Sequence, residues 1–194
     1  LEENQYLKSL FKTQEDNDGN FKFHGFELIL NWKCNFACNF CIQKKKWDDN
    51  NLISLEKLDR AILFIEKYGK MPPYVTISGG EPLLPGNISV VEALLEYLAE
   101  RNGKLAVTTN GFTLQMYTPL FEQYHSIIDI IRISIAGPPE IHNQMRIHKT
   151  GVPTFDIVLN NIKKALDTKL RSKIKILTHF NNENIIYLDT WVKL

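Results

Sequence analysis

Residues 26–41 are FELILNWKCNFACNFC, a short apolar run followed at once by three cysteines. The run at residues 26–30 predicts a β-strand, which puts the thiols on the loop that leaves the strand. Cys34, Cys38 and Cys41 are all the cysteines of the chain, and their spacing is C-x3-C-x2-C. Three thiolates from one short loop can converge on one metal centre, but they do not complete a four-ligand site. They are therefore the candidate metal ligands of this protein.

Two kinds of metal centre are compatible with this loop. A structural zinc site is closed by four ligands, so its fourth ligand would be a histidine from elsewhere in the sequence. Iron–sulfur clusters are held by cysteine thiolates, and a four-iron cluster with three protein thiolates keeps one iron open to another ligand. An open iron suits a reaction centre, whereas a closed zinc site suits an interaction domain. For the zinc alternative, the histidines available as a fourth ligand are His24, His125, His142, His148 and His179. A third alternative is that the three cysteines are ordinary buried thiols without a metal.

The composition is that of an ordinary globular protein. The 194 residues are 44% hydrophobic, which suffices for one domain with a sizeable core. With 23 Lys and Arg against 22 Asp and Glu, the net charge of +1 does not favour a nucleic-acid surface. The sequence shows no apolar run long enough to span a membrane and no signal-peptide pattern at its start. Free thiols require a reducing compartment, which predicts a cytoplasmic protein.

After a polar N-terminal extension, residues 1–25, the sequence alternates between strand and helix patterns. The extension itself predicts a short helix and then a polar turn at residues 16–20. Apolar runs predict strands at residues 26–30, 74–78, 104–109, 129–135 and 173–178. Apolar residues at helical spacing predict helices from Ser54 to near Gly69, around residues 91–98, from Thr113 to about His125, around residues 155–166 and from Asn184 to Leu194.

This alternation predicts an α/β fold with a parallel sheet covered by helices. Five units without a dinucleotide-binding glycine pattern fit a partial, open β/α barrel of the TIM type, with five to six βα units. A complete eight-unit barrel needs about 250 residues, more than this chain has. Because an open edge strand must be covered, we expect the domain at residues 26–194 to be incomplete at its C-terminal side.

Candidate ligand-binding residues follow the strands, at the edge where β/α barrels place their sites. Gly79, Gly80 and Glu81, followed by a proline, come after the second strand; the glycines allow the backbone to approach a ligand closely, or simply form a tight turn. Asn110 and Gly111 end the third strand, in a pair that is also typical of ordinary turns.

The fourth and fifth strands add further polar candidates. Strand alternation puts Arg132 and Ser134 on one face and three isoleucines on the other, and a polar face at the end of an inner strand indicates ligand contact. The guanidinium of Arg146 suits a carboxylate ligand, because its fork matches both oxygens. Thr178 and His179 end the fifth strand, and His179 is equally compatible with a role in the core.

Taken in order, these motifs resemble those of the radical S-adenosylmethionine (radical SAM) superfamily. The cysteine loop with Phe40 before its last cysteine, the GGEP segment and the TNG segment all resemble motifs of that superfamily. The stretch SIAGPPEIHNQMR at residues 134–146 resembles one found in its peptide- and protein-modifying branch, which often carries a SPASM extension. The chain departs from that pattern at Ala136 and Asn143, where the family usually has aspartate, so an acid–base or ribose role at these two positions is not carried over.

The resemblance implies a set of cofactor contacts. Cys34, Cys38 and Cys41 would ligate a 4Fe-4S cluster, and Ser134 would bind the ribose of SAM. The GGEP segment would bind the SAM amino group, and Arg146 the SAM carboxylate. The residues expected around SAM are Phe40, Gly79, Gly80, Glu81, Asn110, Ser134, Arg146 and Thr178.

The resemblance also implies a reaction and partners. One electron, from a donor such as a flavodoxin or ferredoxin, would cleave SAM to a 5′-deoxyadenosyl radical. The radical would abstract a hydrogen atom from a substrate, most in keeping with a peptide or protein side chain. Two alternatives within the superfamily are a glycyl-radical activating enzyme and an enzyme that modifies a small molecule. A zinc-binding domain without catalysis is the alternative from another class.

Overall fold

The computed structural model describes residues 22–43, 52–182, 184–187 and 189. Five strands form one sheet in the order β1-β2-β3-β4-β5, and every neighbouring pair is parallel. The strands are β1 (Phe26–Asn31), β2 (Tyr74–Gly79), β3 (Lys104–Thr109), β4 (Ile128–Ser134) and β5 (Ile174–Leu177). The sheet, with helices between its strands, confirms the predicted partial β/α barrel.

The helices that connect these strands are α1 (Leu55–Tyr68), α2 (Ile88–Glu100), α3 (Leu114–Gln123), α4 (Pro139–Met145) and α5 (Phe155–Leu166). The side chain of Ser54 caps α1 as predicted, since its hydroxyl accepts a hydrogen bond from Lys57 N at 3.3 Å. Single 3₁₀ turns at Pro85–Asn87 and Arg171–Lys173 lie just before α2 and β5.

Two parts of the sequence prediction differ from the structure. The sequence analysis predicted no helix or strand at residues 138–146, but this stretch contains α4. Its Pro139 occupies the first turn, where the missing amide proton costs nothing, and Glu140 follows near the positive end of the helix. Where the helix from Asn184 was expected, the structure has a 3₁₀ turn at Ile185–Tyr187 and a helical Asp189, and the rest of the expected helix lies outside the described residues. The predicted N-terminal helix and polar turn also lie outside them.

The hydrophobic core fills the space between the sheet and its helices. Alternate residues of β2 and β4 point into it, and the prediction for β4 is confirmed because Ile131 and Ile133 are fully buried. On the helical side the core is lined by α1, α2, α3 and α5, whose apolar faces repeat at helical spacing. The side chains that contribute most volume to it include Tyr117, Phe121, Leu94, Leu95 and Leu98.

The loops that leave the five parallel strands emerge at one edge of the sheet, because parallel strands end on the same side. This edge brings together the cysteine loop (residues 34–41), the GGEP segment and the loops after β3, β4 and β5. Of the helices that the structure describes, none has the length and apolar character that crossing a bilayer would require.

Candidate functional site

The GGEP segment holds the start of the cysteine loop through backbone hydrogen bonds. Gly80 N donates to Asn31 O at 2.9 Å, and Glu81 N donates to Lys33 O at 2.9 Å. A Cβ atom on Gly80 would overlap the carbonyl oxygens of the residues at 32 and 33, and the preceding Gly79 has a φ of +117°. The two glycines are therefore needed for close approach to the chain that carries the thiols, which is a different contact from the approach to a ligand predicted from the sequence.

The opposite side of the cysteine loop is held by the segment that follows α4. Phe36 and His148 form an antiparallel bridge, and Ala37 N donates to Ile147 O at 2.7 Å. The His148 ring stacks on Phe112, with 4.6 Å between centroids and 19° between planes, and Phe36 meets both rings edge-on. The cysteine loop is thus hydrogen-bonded to the GGEP segment on one side and to the segment after α4 on the other, and an aromatic cluster packs against it. Its position therefore does not depend on a bound metal alone.

The three thiols are shielded from solvent to different degrees. Cys38 is buried, with 8% of its surface exposed, and Cys34 and Cys41 are half-buried. Burial raises the pKa of the Cys34 thiol to about 12, with a further contribution from the negative charge of Glu81. Burial also raises the pKa of Cys38, an effect that the positive charge of Arg146 opposes. Positive charge from a metal would favour all three thiolates, because coordination deprotonates a thiol outright.

The carboxylate of Glu81 joins the GGEP segment to the end of β3. One oxygen, Oε1, accepts from Thr109 Oγ1 at 2.6 Å and from Leu83 N at 2.9 Å, and Oε2 accepts from Asn110 N at 2.7 Å. Only 1% of the residue is exposed, and burial raises its pKa while the three hydrogen bonds act in the opposite direction. In this arrangement the Glu81 carboxylate binds protein groups, so it acts on the site by fixing the loop after β3.

The Asn110 side chain bridges that loop to the cysteine loop. Its Oδ1 accepts from Phe112 N at 3.0 Å, and its Nδ2 donates to Asn35 Oδ1 at 2.8 Å. The same Nδ2 lies 3.8 Å from Cys34 Sγ, within hydrogen-bonding distance for sulfur. Asn110, predicted from the sequence to lie against SAM, therefore contacts the chain and sulfur of a candidate cluster ligand.

Arg146 is a buried cation beside the thiols. Its guanidinium carbon lies 5.3 Å from the centroid of the Phe40 ring, and only 6% of the residue is exposed. Burial lowers the pKa of Arg146, whereas the charges of the three cysteines and Glu81 act to raise it. Within the part of the chain that the structure describes, its Nε is buried without a hydrogen-bond partner. A buried Arg with an unsatisfied donor is suited to binding an anionic group of a ligand.

Hydrogen bonds between α4, Arg146 and the start of α5 fix the backbone position of Arg146. Asn143 Oδ1 accepts from the backbone N of Thr154 at 2.8 Å and of Phe155 at 2.9 Å, so it caps the start of α5 from outside that helix. Thr154 Oγ1 donates in turn to Arg146 O at 2.9 Å. Asn143, where the resembling family usually has aspartate, thus has a capping role that asparagine fulfils as well as aspartate does.

The loop after β4 is fixed by His142 and Asn184. Ala136 N donates to His142 Nδ1 at 3.3 Å, and Asn184 Nδ2 donates to Ala136 O at 3.0 Å and to His179 O at 2.8 Å. Burial, together with the positive charge of Arg146, lowers the pKa of His142 to about 4. His142 is therefore a neutral core histidine, and Asn184 ties the loop after β5 to the loop after β4.

Ser134 and Thr178 lie further along the same edge. Ser134 is the last residue of β4, is 6% exposed and pairs with Leu177, the residue before Thr178. His179 approaches the Phe40 ring, with 6.4 Å between centroids, which brings the end of β5 to the cysteine loop. The predicted site residues are therefore grouped at one edge, with Phe40 between Arg146 and His179.

Sequence reasoning missed the roles of three residues that organise this site: Asn35, His148 and Asn184. Asn35 was not singled out, His148 was considered only as a zinc ligand and Asn184 only as the start of a helix, and nothing in their local spacing indicates partners so distant in the chain. For His148, the aromatic residues that it contacts come from two other loops. Among the described residues, no three His, Cys, Asp or Glu side chains are grouped as ligands of a single metal ion.

The fold and the site together define a partial β/α barrel with a loop of three thiols and a buried arginine at the carboxyl edge of its strands. Residues 30–193 match the family model described as the radical SAM superfamily. The chain therefore belongs to the radical SAM superfamily, whose members are SAM-dependent enzymes with a 4Fe-4S cluster.

The curated proteins that this chain resembles include GTP 3′,8-cyclases. A GTP 3′,8-cyclase of Campylobacter jejuni (strain RM1221) is 27% identical over 179 residues, which are 89% of this chain and 53% of the relative. A probable GTP 3′,8-cyclase of Saccharolobus islandicus (strain L.S.2.15) is 31% identical over 145 residues, which are 74% of this chain and 44% of the relative. The chain thus spans about half the length of the curated relatives it matches.

A similar solved structure is described as native anSMEcpe with bound AdoMet and the Cp18Cys peptide. It superposes with a TM-score of 0.71 at 20% identity and covers 87% of this chain and 48% of that one. At this identity the likeness shows the shared fold.

The residues of the site fit the two cofactors of the superfamily, a 4Fe-4S cluster and SAM. The donor set is three thiols on one loop, and each can bind a different iron of a cluster, so the sulfurs need not converge as around one ion. The unsatisfied Nε of Arg146 and the exposed part of the Phe40 ring offer a charged and an apolar contact to a small molecule beside the thiols.

Proposed function

We propose that this chain forms the core of an enzyme that reductively cleaves SAM and uses the resulting 5′-deoxyadenosyl radical to abstract a hydrogen atom from a peptide or protein side chain. The observation that best supports the proposed binding of a cluster and SAM is the grouping of the cysteine loop, Phe40 and the buried Arg146 at the carboxyl edge of the sheet. When bound, the cluster supplies the electron and the open iron at which SAM is cleaved.

The protein's own residues have distinct tasks in this proposal. Cys34, Cys38 and Cys41 hold the cluster. Arg146 binds the carboxylate of SAM, because its guanidinium is buried and has an unsatisfied donor. The backbone of Arg146 is held by Thr154 Oγ1, which donates to its carbonyl oxygen. The exposed part of the Phe40 ring contacts the same ligand, and His179 packs near that ring.

The remaining predicted SAM contacts are proposed in two groups. Ser134 and Thr178 contact the nucleoside part of SAM from the ends of β4 and β5. Gly79, Gly80 and Glu81 bind the amino group through the backbone of their segment, since the Glu81 side chain already binds three protein donors.

A peptide or protein substrate is supported by the resemblance of residues 134–146 to the peptide-modifying branch. The second candidate is a purine nucleotide, supported by the identity of 27% over 89% of the chain to a GTP 3′,8-cyclase. We further propose an electron donor of the flavodoxin or ferredoxin class and a reducing, cytoplasmic location, because the three cysteines must remain free thiols.

The test of the common step is anaerobic reconstitution with iron and sulfide, followed by dithionite reduction with SAM. We expect 5′-deoxyadenosine and methionine in equal amounts, and neither product from the Cys38→Ala variant. A reconstituted wild-type protein that forms neither product would overturn the proposal.

The substrate is tested separately with GTP and with candidate peptides, using deuterated substrates. Deuterium transfer into 5′-deoxyadenosine identifies the molecule that loses the hydrogen atom. Transfer from GTP and from none of the peptides would replace the peptide proposal with the nucleotide candidate.

A further inference from the structure

We infer that Asn110 is a positioning residue that tunes the reduction potential of the cluster through a hydrogen bond to the Cys34 sulfur. This inference rests on the proposed function, since it requires a cluster on the cysteine loop. It assigns to Asn110 a partner other than SAM. The observation behind it is the distance of 3.8 Å between Asn110 Nδ2 and Cys34 Sγ.

The orientation of the Asn110 amide is fixed by its other partners. Phe112 N must donate to an oxygen, so the atom 3.0 Å from it is Oδ1 and the amide nitrogen faces the cysteine loop. The Asn110 backbone is fixed as well, because its N–H donates to the buried carboxylate of Glu81 at 2.7 Å. The side chain is 6% exposed, so water competes little for its donors.

The amide nitrogen has two protons and two acceptors within reach. One acceptor is Asn35 Oδ1 at 2.8 Å, and the other is Cys34 Sγ. Cys34 also accepts from Phe36 N at 3.4 Å. When Cys34 is a metal-bound thiolate, it can no longer donate to Asn35 Oδ1, which lies 3.9 Å away, and the Asn110 amide then supplies a proton to each of the two acceptors.

A donor at a ligand sulfur affects the two oxidation states of a cluster unequally. The reduced cluster carries one more negative charge, so an N–H donor stabilises it more than the oxidised cluster and raises the reduction potential. Glu81 has the opposite effect in principle, as a buried acid near Cys34, but its charge is shared among three hydrogen bonds. The Asn110 amide is thus a side-chain donor that, together with the backbone N–H of Phe36, offsets the negative charge at this ligand.

The decisive measurement is an EPR-monitored redox titration of the reconstituted full chain without substrate. Asn110→Ser removes the amide donor and keeps an oxygen that can accept from Phe112 N. We expect the equilibrium constant for one-electron reduction to fall about threefold, which lowers the midpoint potential by about 30 mV at 59 mV per tenfold change. Asn110→Asp keeps the side-chain shape and replaces the donor by a negative charge, so its potential should be lower still.

Asn161→Ser is the matched control. Asn161 is also a buried asparagine, and its Nδ2 supports the same loop by donating to Gly111 O at 3.0 Å and Phe112 O at 2.8 Å. It does so from α5, and both of these partners are backbone oxygens rather than sulfur. We expect Asn161→Ser to lower the thermal stability of the protein and to leave the midpoint potential at the wild-type value.

The outcomes separate this inference from the proposed function. A wild-type protein that holds no 4Fe-4S cluster would overturn both. A wild-type cluster with an unchanged potential in Asn110→Ser would overturn the tuning role alone. Loss of the cluster from both folded Asn110 variants would indicate that Asn110 retains the cluster, and would also overturn the inference.

Discussion

The guanidinium of Arg146 lies over the Phe40 ring, 5.3 Å from its centroid, so a buried cation and a half-exposed aromatic face stand side by side next to three thiols. Phe40 belongs to the loop after β1, and Arg146 follows α4, more than one hundred residues later in the sequence. Their contact depends on the bridge between Phe36 and His148, which joins the two segments. The relationship therefore links the geometry of the cluster loop to the site proposed for the SAM carboxylate.

The first prediction concerns the fork of Arg146. Arg146→Lys keeps the positive charge but removes the planar pair of donors that matches a carboxylate. A lost hydrogen bond between charged groups is worth about 1.5–3 kcal/mol, so the Kd for SAM should rise by about 10- to 100-fold. The measurement is anaerobic equilibrium dialysis of SAM against reconstituted protein. Arg101→Lys, at an exposed ion pair with Glu66, is the control and should bind SAM like the wild type. Equal affinities for all three proteins would contradict the assignment.

The second prediction concerns the contact between the GGEP segment and the cysteine loop. A Cβ atom on Gly80 would overlap backbone oxygens of the residues at 32 and 33, which cannot move without moving Cys34. Gly80→Ala should therefore displace the cysteine loop and reduce the iron content after reconstitution to less than about half of the wild-type value, since overpacking against backbone is poorly relieved. Gly86→Ala is the control, because a Cβ there meets only the end of the Leu52 side chain. Full iron incorporation in Gly80→Ala would show that the segment tolerates a shift.

The strands and most helices could be predicted from the sequence because their apolar residues follow one clear period. Residues 104–109 were predicted as a strand with the observed bounds, and Ser54 was identified as the cap of α1. Helix α4 was missed because it has only seven residues, begins with a proline and follows another, and so leaves no apolar period to detect. Pro139 followed by Glu140 was the available signal, as proline in the first turn and an early acid favour a helix start.

The grouping of the site could be predicted, but the partners of each side chain could not. Parallel strands force the loops after them to one edge, so Cys34, Asn110 and Arg146 were expected to lie close together. Sequence spacing does not show that the side chain of Asn110 faces Cys34 or that Gly80 packs on the cysteine loop. Such contacts join residues far apart in the chain, and the packing of whole loops determines them.

The third prediction concerns the buried carboxylate of Glu81. Glu81→Gln has nearly the same shape but replaces one acceptor oxygen by an amide that donates, so at least one of its three donors faces another donor. Leaving a buried polar group unsatisfied costs about 1–3 kcal/mol, and the free energy of unfolding should fall by that amount. The measurement is urea denaturation of the metal-free protein, with the exposed Glu92→Gln as the control. A variant as stable as the wild type would show that the loop after β3 does not depend on this carboxylate.

The fourth prediction concerns the acid sensitivity that His142 gives to the fold. Its Nδ1 accepts from Ala136 N, its ring meets Phe155 edge-on at 5.5 Å, and burial lowers its pKa to about 4. An unfolded histidine has a pKa of about 6.5, so between these values the unfolded chain binds more protons and stability rises with pH. On acidification from pH 6.5 to 4, the wild type should lose roughly 3 kcal/mol through this residue, at 1.36 kcal/mol per pKa unit.

The variant for this test is His142→Gln, which keeps an acceptor for Ala136 N and does not titrate. Its free energy of unfolding, measured by urea denaturation at several pH values, should fall less steeply than that of the wild type below pH 6.5. All other titratable groups are common to the two proteins, so the difference between their stability curves reports the contribution of His142 alone. Parallel curves across this range would mean that the pKa of His142 in the folded protein is close to its value in the unfolded chain, and would contradict a buried, neutral His142.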